Sequence, residues 1–298
     1  MHALRIWADM VKFSHSVFAL PFALTATFLA GRDIDGRHRP FWGQLGLIVL
    51  CMVAARSVAM TFNRIVDAEI DARNPRTANR PLPAGRLSRP AAMAMLMLSA
   101  LTFGVGCLGF HVLYDNRWPI LLSGPVLIYL CGYSYTKRFT RWSHFYLGSA
   151  IALSPAAAWL AIHPATLGVP ALLLMLTVTC WIGGFDIIYA CQDIHVDRRD
   201  GLHSLPARCG PATALWFARS AHALAVLSLC GLGIRAHLGA AYWTGVVVAA
   251  VVLAIENSFV RANDFSRVQL AFSLNGVVSL VVGVGAVADV LLAPVEKL

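Results

Sequence analysis

Asn63, Asp67 and Asp71 stand four residues apart in Asn-Arg-Ile-Val-Asp-Ala-Glu-Ile-Asp, residues 63–71. On a helix of 3.6 residues per turn the three drift by only about 80° and share one face. A second acidic stretch spans 186–197, where Asp186, Tyr189, Asp193 and Asp197 fall at i, i+3, i+7 and i+11, again on one face. Each stretch follows a long apolar run and precedes a basic loop. Carboxylate oxygens in this pattern suit Mg2+, which takes one or two carboxylates and completes its shell with substrate phosphates. Arginine and lysine neutralise the phosphate charge that remains. The chemistry these groups imply is the binding of a diphosphate and its stabilisation as a leaving group. An apolar cavity would add room for a long hydrocarbon tail, so a lipid diphosphate is the expected donor.

The elements that must carry these residues are membrane helices. Of the 298 residues 58% are hydrophobic and 13% charged, about half the charged fraction of a soluble chain. The apolar runs are continuous and near the ~20 residues that cross a bilayer, which excludes an alternating β-barrel pattern. Nine spans are expected, at roughly 13–31, 41–62, 91–113, 118–136, 145–163, 169–190, 212–234, 238–256 and 270–292. The fold class is an all-α polytopic transmembrane bundle, a single membrane-embedded domain over 1–298. Residues 3–12, with Leu4, Ile6, Trp7 and Val11 beside Arg5 and Lys12, suit a short interfacial helix. With the N-terminus inside, 17 of the 24 Lys and Arg residues fall on the cytoplasmic side. Both acidic stretches then face the cytoplasm and the C-terminus lies outside. The net charge of +9 is accounted for by this bias, and no basic block with interleaved aromatics marks a nucleic-acid surface.

An Asp at mid-bilayer costs about 2.5–3.5 kcal/mol. One Asp at a helix end is explained by solvation alone. Two one-faced clusters at helix–loop junctions, each flanked by arginines, are better explained by a polar cavity holding metal or counter-charge. The loops after them are alike, with Leu82-Pro83-Ala84 and Leu205-Pro206-Ala207 in similar places. Two related halves that each bring one acidic helix end to a shared cavity are therefore expected.

Other residues admit a plain reading beside a functional one. Lys137, Arg138 and Arg141 satisfy topology as well as phosphate binding. Tyr133 and Tyr135 suit the interfacial aromatic belt. Arg56, inside the second span, needs a partner. His195 lies between two aspartates, but without a Cys or second close His a zinc site is weakly supported. Glu256-Asn257 and Asn263-Asp264 either line the cavity or cap the eighth span. The seven cysteines form no Cys-x-x-Cys pair and mostly sit in apolar runs, so they read as packing residues.

At the acidic stretches the chain resembles the UbiA superfamily of intramembrane aromatic prenyltransferases. That family carries Asn-x-x-x-Asp-x-x-x-Asp after its second span, matched by Asn63, Asp67 and Asp71. It carries Asp-x-x-x-Asp after its sixth, matched by Asp193 and Asp197, with Asp186 and Tyr189 matching an upstream Asp-x-x-Tyr-Ala. The stretches 12–21, 73–85 and 189–193 look most like the quinone-pathway branch, often called 4-hydroxybenzoate polyprenyltransferases. They are especially similar to the subgroup of the futalosine route to menaquinone, whose acceptor is 1,4-dihydroxy-6-naphthoate.

The resemblance implies transfer of a polyprenyl group from polyprenyl diphosphate to an aromatic acid in respiratory quinone biosynthesis, at the bacterial inner membrane. It implies two Mg2+ ions, one on Asp67 and Asp71 and one on Asp193 and Asp197, with Asn63 assisting. Arg64 and Lys137 would bind phosphate oxygens, and Asp186 and Tyr189 would serve the acceptor or shield the cation. The alternatives are a different acceptor (haem, a chlorophyll precursor or a glycerol phosphate lipid) or a lipid transporter.

Overall fold

The computed structural model describes residues 2–11, 18–32 and 39–292. The expected features at Lys12–Val17, at 33–38 and after 292 lie outside the described residues. The regular elements among the described residues are helices, apart from one isolated bridge between Arg261 and Asp264. In order they are α1 (His2–Val11), α2 (Leu20–Gly31), α3 (Trp42–Val66), α4 (Ala68–Arg73), α5 (Arg89–Tyr114), α6 (Trp118–Thr136) and α7 (Ser143–Ile162). Then follow α8 (Val169–Ala190), α9 (Ile194–Arg199), α10 (Leu205–Cys209), α11 (Pro211–Arg235), α12 (Ala240–Phe259) and α13 (Val268–Leu292).

Among the described residues, seven helical segments are long and apolar enough to cross a membrane: those containing α3, α5, α7, α8, α11, α12 and α13. Each begins within a few residues of an expected span and ends within a few of it, except that the segment containing α8 runs on through α9 to Arg199. Two further expected spans coincide with shorter or less apolar helices. α2 has 12 described residues, and α6 carries Pro125 together with its Tyr and Ser residues. The outward surface is itself apolar. Leu98, Leu101, Val105, Leu108 and Val112 of α5 are all exposed and recur every three to four residues, a continuous stripe suited to lipid.

The chain divides into two compact units, one built from residues 1–16 and 46–135 and the other from 17–45 and 136–298. In the first, Ala54 of α3 packs with Phe103 and Cys107 of α5, and Ile120, Val126 and Leu127 of α6 close around them. α1 sits against this unit through Trp7 and Met10, which meet Leu87 and Ala92. The Trp7 indole donates to Thr61 Oγ1 at 2.8 Å.

In the second unit α8 is the central helix, in contact with α2, α7, α11 and α13. Its long run of buried side chains includes Trp181, which packs on Phe22 of α2 and donates to Asn275 Oδ1 of α13 at 2.6 Å. Glycine permits close approach of the helices. A Cβ at Gly183 of α8 would lie 2.8 Å from the Phe145 ring of α7. One at Gly245 of α12 would lie 2.5 Å from the Val281 carbonyl oxygen of α13. All seven cysteines are free, in keeping with a packing role.

Candidate active site

Both acidic stretches sit at the same kind of helix break. α3 ends at Val66, Asp67 takes φ −94°, ψ 5°, and the six-residue α4 follows. α8 ends at Ala190, a single 3-10 turn covers Cys191–Asp193, Asp193 takes φ −103°, ψ 6°, and the six-residue α9 follows. This bridge conformation is sparsely populated and frequent at active sites. In each unit a second aspartate comes four residues later and is buried: Asp71 at 6% and Asp197 at 1% exposure.

In the first unit the break leaves the common face intact. The Asp67 amide donates to the Asn63 carbonyl at 2.9 Å, and the Asp71 amide to the Asp67 carbonyl at 2.7 Å. The three side chains therefore stay stacked, as their spacing predicts. Asn63 Nδ2 donates to Asp67 Oδ2 at 2.7 Å and approaches Ser134 Oγ of α6 at 3.4 Å. Arg64 donates to Asn63 Oδ1 at 3.0 Å. Arg80 donates to both oxygens of Asp71, at 2.7 Å each. Thr77 ties the loop down by donating to the Asp71 carbonyl at 2.9 Å. Tyr133 and Arg80 lie within electrostatic reach of Arg64. The Arg56 guanidinium turns towards the Val11 carbonyl of α1, 3.5 Å away.

In the second unit Lys137 Nζ lies 2.9 Å from Asp197 Oδ1, with the lysine one-third exposed and the carboxylate 2% exposed. Asp197 Oδ2 is buried and has no hydrogen-bond partner among the described residues. The loop after α9 is anchored at the same place, because the His203 amide donates to the Lys137 carbonyl at 2.7 Å and the Leu202 amide to the Asp197 carbonyl at 2.8 Å. Asp186 pairs with His144 Nδ1 of α7 at 2.6 Å. Tyr189 packs against Phe185 and the apolar cluster of Ile187, Ile188 and Ile194. His195 is exposed, whereas Asp193 and Asp197 on either side are buried, which separates it from the carboxylates.

The remaining acidic groups divide. Asp264 forms the turn between α12 and α13 and is held below the usual carboxylate range by the Ser266 hydroxyl and backbone N–H that donate to it. It caps rather than lines. Glu256 of α12 is fully buried, and neither of its oxygens has a hydrogen-bond partner among the described residues. Asn257 beside it pairs with His222 of α11 at 2.7 Å.

Among the described residues no three His, Cys, Asp or Glu side chains converge into a self-sufficient metal-binding group. Two carboxylates per set, one with an unpartnered buried oxygen, instead match the Mg2+ pattern in which phosphates and water complete the shell. The donors are oxygens throughout, so the residues present fit such an ion. The spacing of the carboxylates disclosed Asp67, Asp71, Asp193 and Asp197. It did not disclose Arg80, Ser134 or His144, which reach the sites from other helices or loops; for Arg80 the only local signal was its arginine-rich loop.

Three comparisons bear on this geometry. The UbiA prenyltransferase family matches residues 19–279, across both units. The 4-hydroxybenzoate octaprenyltransferase of Dechloromonas aromatica (strain RCB) is 28% identical over 265 residues, covering 86% of this chain and 84% of the relative. The apo structure of a UbiA homologue from Aeropyrum pernix K1 has a TM-score of 0.82 at 29% identity, over 93% of this chain and 98% of that one. A UbiA homologue from Archaeoglobus fulgidus, solved with GPP and Mg2+, shares the fold at a TM-score of 0.68 and 17% identity, over 96% and 100% of the two chains. With seven helical segments fit to cross a bilayer and the family match spanning both acidic helix breaks, the chain is an integral membrane protein belonging to the UbiA prenyltransferase family.

Proposed function

We propose that this prenyltransferase moves a polyprenyl group from polyprenyl diphosphate to a ring carbon of a hydroxylated aromatic acid, in Mg2+-dependent quinone biosynthesis. The observation that carries the reading is the repeated device: an Asp at a helix break, a buried Asp four residues on, and a basic side chain on the second carboxylate. Asp67 and Asp71 serve one Mg2+ ion and Asp193 and Asp197 the other, with Asn63 assisting at the first. Bound Mg2+ supplies the positive charge that holds the diphosphate and stabilises it as it departs.

The side chains do the rest. Arg64 and Lys137 bind phosphate oxygens, which requires Lys137 to share or leave its present partner Asp197. As the allylic C–O bond breaks, the ring carbon ortho to a phenolic hydroxyl forms the new C–C bond and loses its proton. Asp186 and Tyr189 serve the acceptor side. The apolar helices exclude water from the electron-poor allylic carbon. The name of the Dechloromonas relative supports 4-hydroxybenzoate as acceptor, and stretches 73–85 and 189–193 support 1,4-dihydroxy-6-naphthoate as the competing one. The apolar runs support nine spans in a single catalytic domain, and the charge bias supports an inside N-terminus and a site open to the cytoplasm of a bacterial inner membrane.

The test is product formation in membranes expressing the chain, given a polyprenyl diphosphate, Mg2+ and each acid in turn, read by mass spectrometry. A prenylated acid that disappears with EDTA supports the reading and names the acceptor. No product from either acid, with product from haem or a glycerol phosphate lipid, would overturn the quinone assignment.

A further inference from the structure

His144 is the second residue of α7, buried at 1% exposure, and both of its ring nitrogens are engaged. Nε2 lies 3.1 Å from the backbone N–H of Leu205. Leu205 opens α10, so its amide is one of the helix-start donors without an intrahelical acceptor. A backbone amide only donates, so Nε2 must present its lone pair. The ring proton therefore sits on Nδ1, which faces Asp186 Oδ2 at 2.6 Å. The contact is an N–H donated to a carboxylate, a charge-assisted hydrogen bond rather than an ion pair.

Helix packing makes the meeting possible. Gly183 stands three residues before Asp186 on α8 and lets α7 approach at Phe145, the residue after His144. Asp186 meets His144 through Oδ2, and its side chain is 30% exposed.

We propose that His144 is a positioning residue that holds Asp186 as a fixed hydrogen-bond acceptor for the hydroxyl group of the aromatic substrate. This rests on the prenyl-transfer reading and adds a rule of substrate choice to it. A carboxylate already bonded by a donor on one oxygen offers only lone pairs on the other. It accepts from a phenolic O–H and has nothing to give a methyl ether. Accepting that hydrogen bond pushes electron density into the ring and raises the nucleophilicity of the carbon ortho to the hydroxyl. A carboxylate free to rotate would do this less well, because part of the binding energy would be spent on fixing it.

Two substitutions separate the two hydrogen bonds of His144. In His144→Asn an amide nitrogen stands near the place of Nδ1, so the bond to Asp186 survives and the tie to Leu205 is lost. In His144→Gln an amide oxygen stands near the place of Nε2, so the Leu205 tie survives and the Asp186 bond is lost. The full-length enzyme is assayed in membranes with polyprenyl diphosphate, Mg2+ and either the hydroxylated acid or its methyl ether.

The expected result is that His144→Gln lowers kcat/KM for the hydroxylated acid about ten- to a hundredfold. It also narrows the preference for hydroxyl over methyl ether and leaves the KM for diphosphate unchanged, while His144→Asn stays near wild type in all three. Equal losses in both variants, or loss in His144→Asn alone, would make His144 a structural tie of α10 and overturn the proposal. So would a His144→Gln enzyme indistinguishable from wild type. Absence of product from the wild-type protein with every hydroxylated acid would instead overturn the prenyl-transfer reading, and the proposal with it.

Discussion

Replacing Lys137 by Met strips the cation from a carboxylate that has almost no other support. Asp197 is 2% exposed in its side chain, holds Lys137 through Oδ1 at 2.9 Å, and has no partner for Oδ2 among the described residues. At 2.9 Å and an effective dielectric of about 20 the pair attracts by about 6 kcal/mol before desolvation is counted. Removing one partner of a buried pair usually costs about 3–5 kcal/mol. Lys137 is one-third exposed, so water screens part of its charge, and about 2–3 kcal/mol is the expected loss.

In detergent with EDTA, the Lys137→Met protein should therefore unfold roughly 5–10 °C below wild type. Mg2+ at a hundred times its dissociation constant adds about 2.7 kcal/mol and should restore most of this, with a larger gain in the variant than in wild type. Lys137→Met combined with Asp197→Asn should recover stability without metal, because no bare charge is left. The same unfolding temperature for Lys137→Met and wild type in EDTA would refute the reasoning. So would equal stabilisation of both by Mg2+, since that would mean the metal does not meet the carboxylate Lys137 occupies.

Asp67→Asn and Asp193→Asn should each reduce product formation by about a hundredfold or more while the protein stays folded in membranes; wild-type turnover in either variant would remove that residue from the metal site. Gly245→Ala places a Cβ 2.5 Å from the Val281 carbonyl oxygen and should cost about 1–3 kcal/mol in thermal unfolding. Gly104→Ala, with nothing within 4 Å, should be neutral or stabilising by up to about 1 kcal/mol in the same experiment. Glu256→Gln should leave the unfolding temperature unchanged or raise it, because the carboxyl it removes is fully buried; Asn275, the polar side chain beside it, accepts from Trp181 and donates one N–H to the Ala271 carbonyl, which leaves its second N–H for either side chain.

Apolar runs near the length of a bilayer were enough to locate the long helices, because in lipid an unpaired backbone group costs so much that a long apolar run becomes a helix. The i, i+4, i+8 spacing at Asn63, Asp67 and Asp71 was equally informative. It describes neighbours on one helix face, and the hydrogen bonds across Asp67 keep that face through the break. The two acidic stretches also share one backbone conformation, at Asp67 and Asp193, each ahead of a six-residue helix, but the loops after them diverge, since Leu205-Pro206-Ala207 opens α10 whereas Leu82-Pro83-Ala84 lies in turns.

Partnership between elements is another matter. That Lys137 holds Asp197, that Arg80 rather than Arg73 or Arg76 takes both oxygens of Asp71, and that His144 carries its proton on the side of Asp186 depend on contacts between residues 9 to 61 positions apart. No spacing rule reaches that far, since such pairs meet only where helices pack closely enough, as α7 and α8 do at Gly183. From the sequence alone came the kinds of chemical group and the faces they occupy. The tertiary structure decided which cation answers which carboxylate and which oxygens are left open, because hydrogen bonds and ion pairs act over about 3 Å and that distance is set by packing.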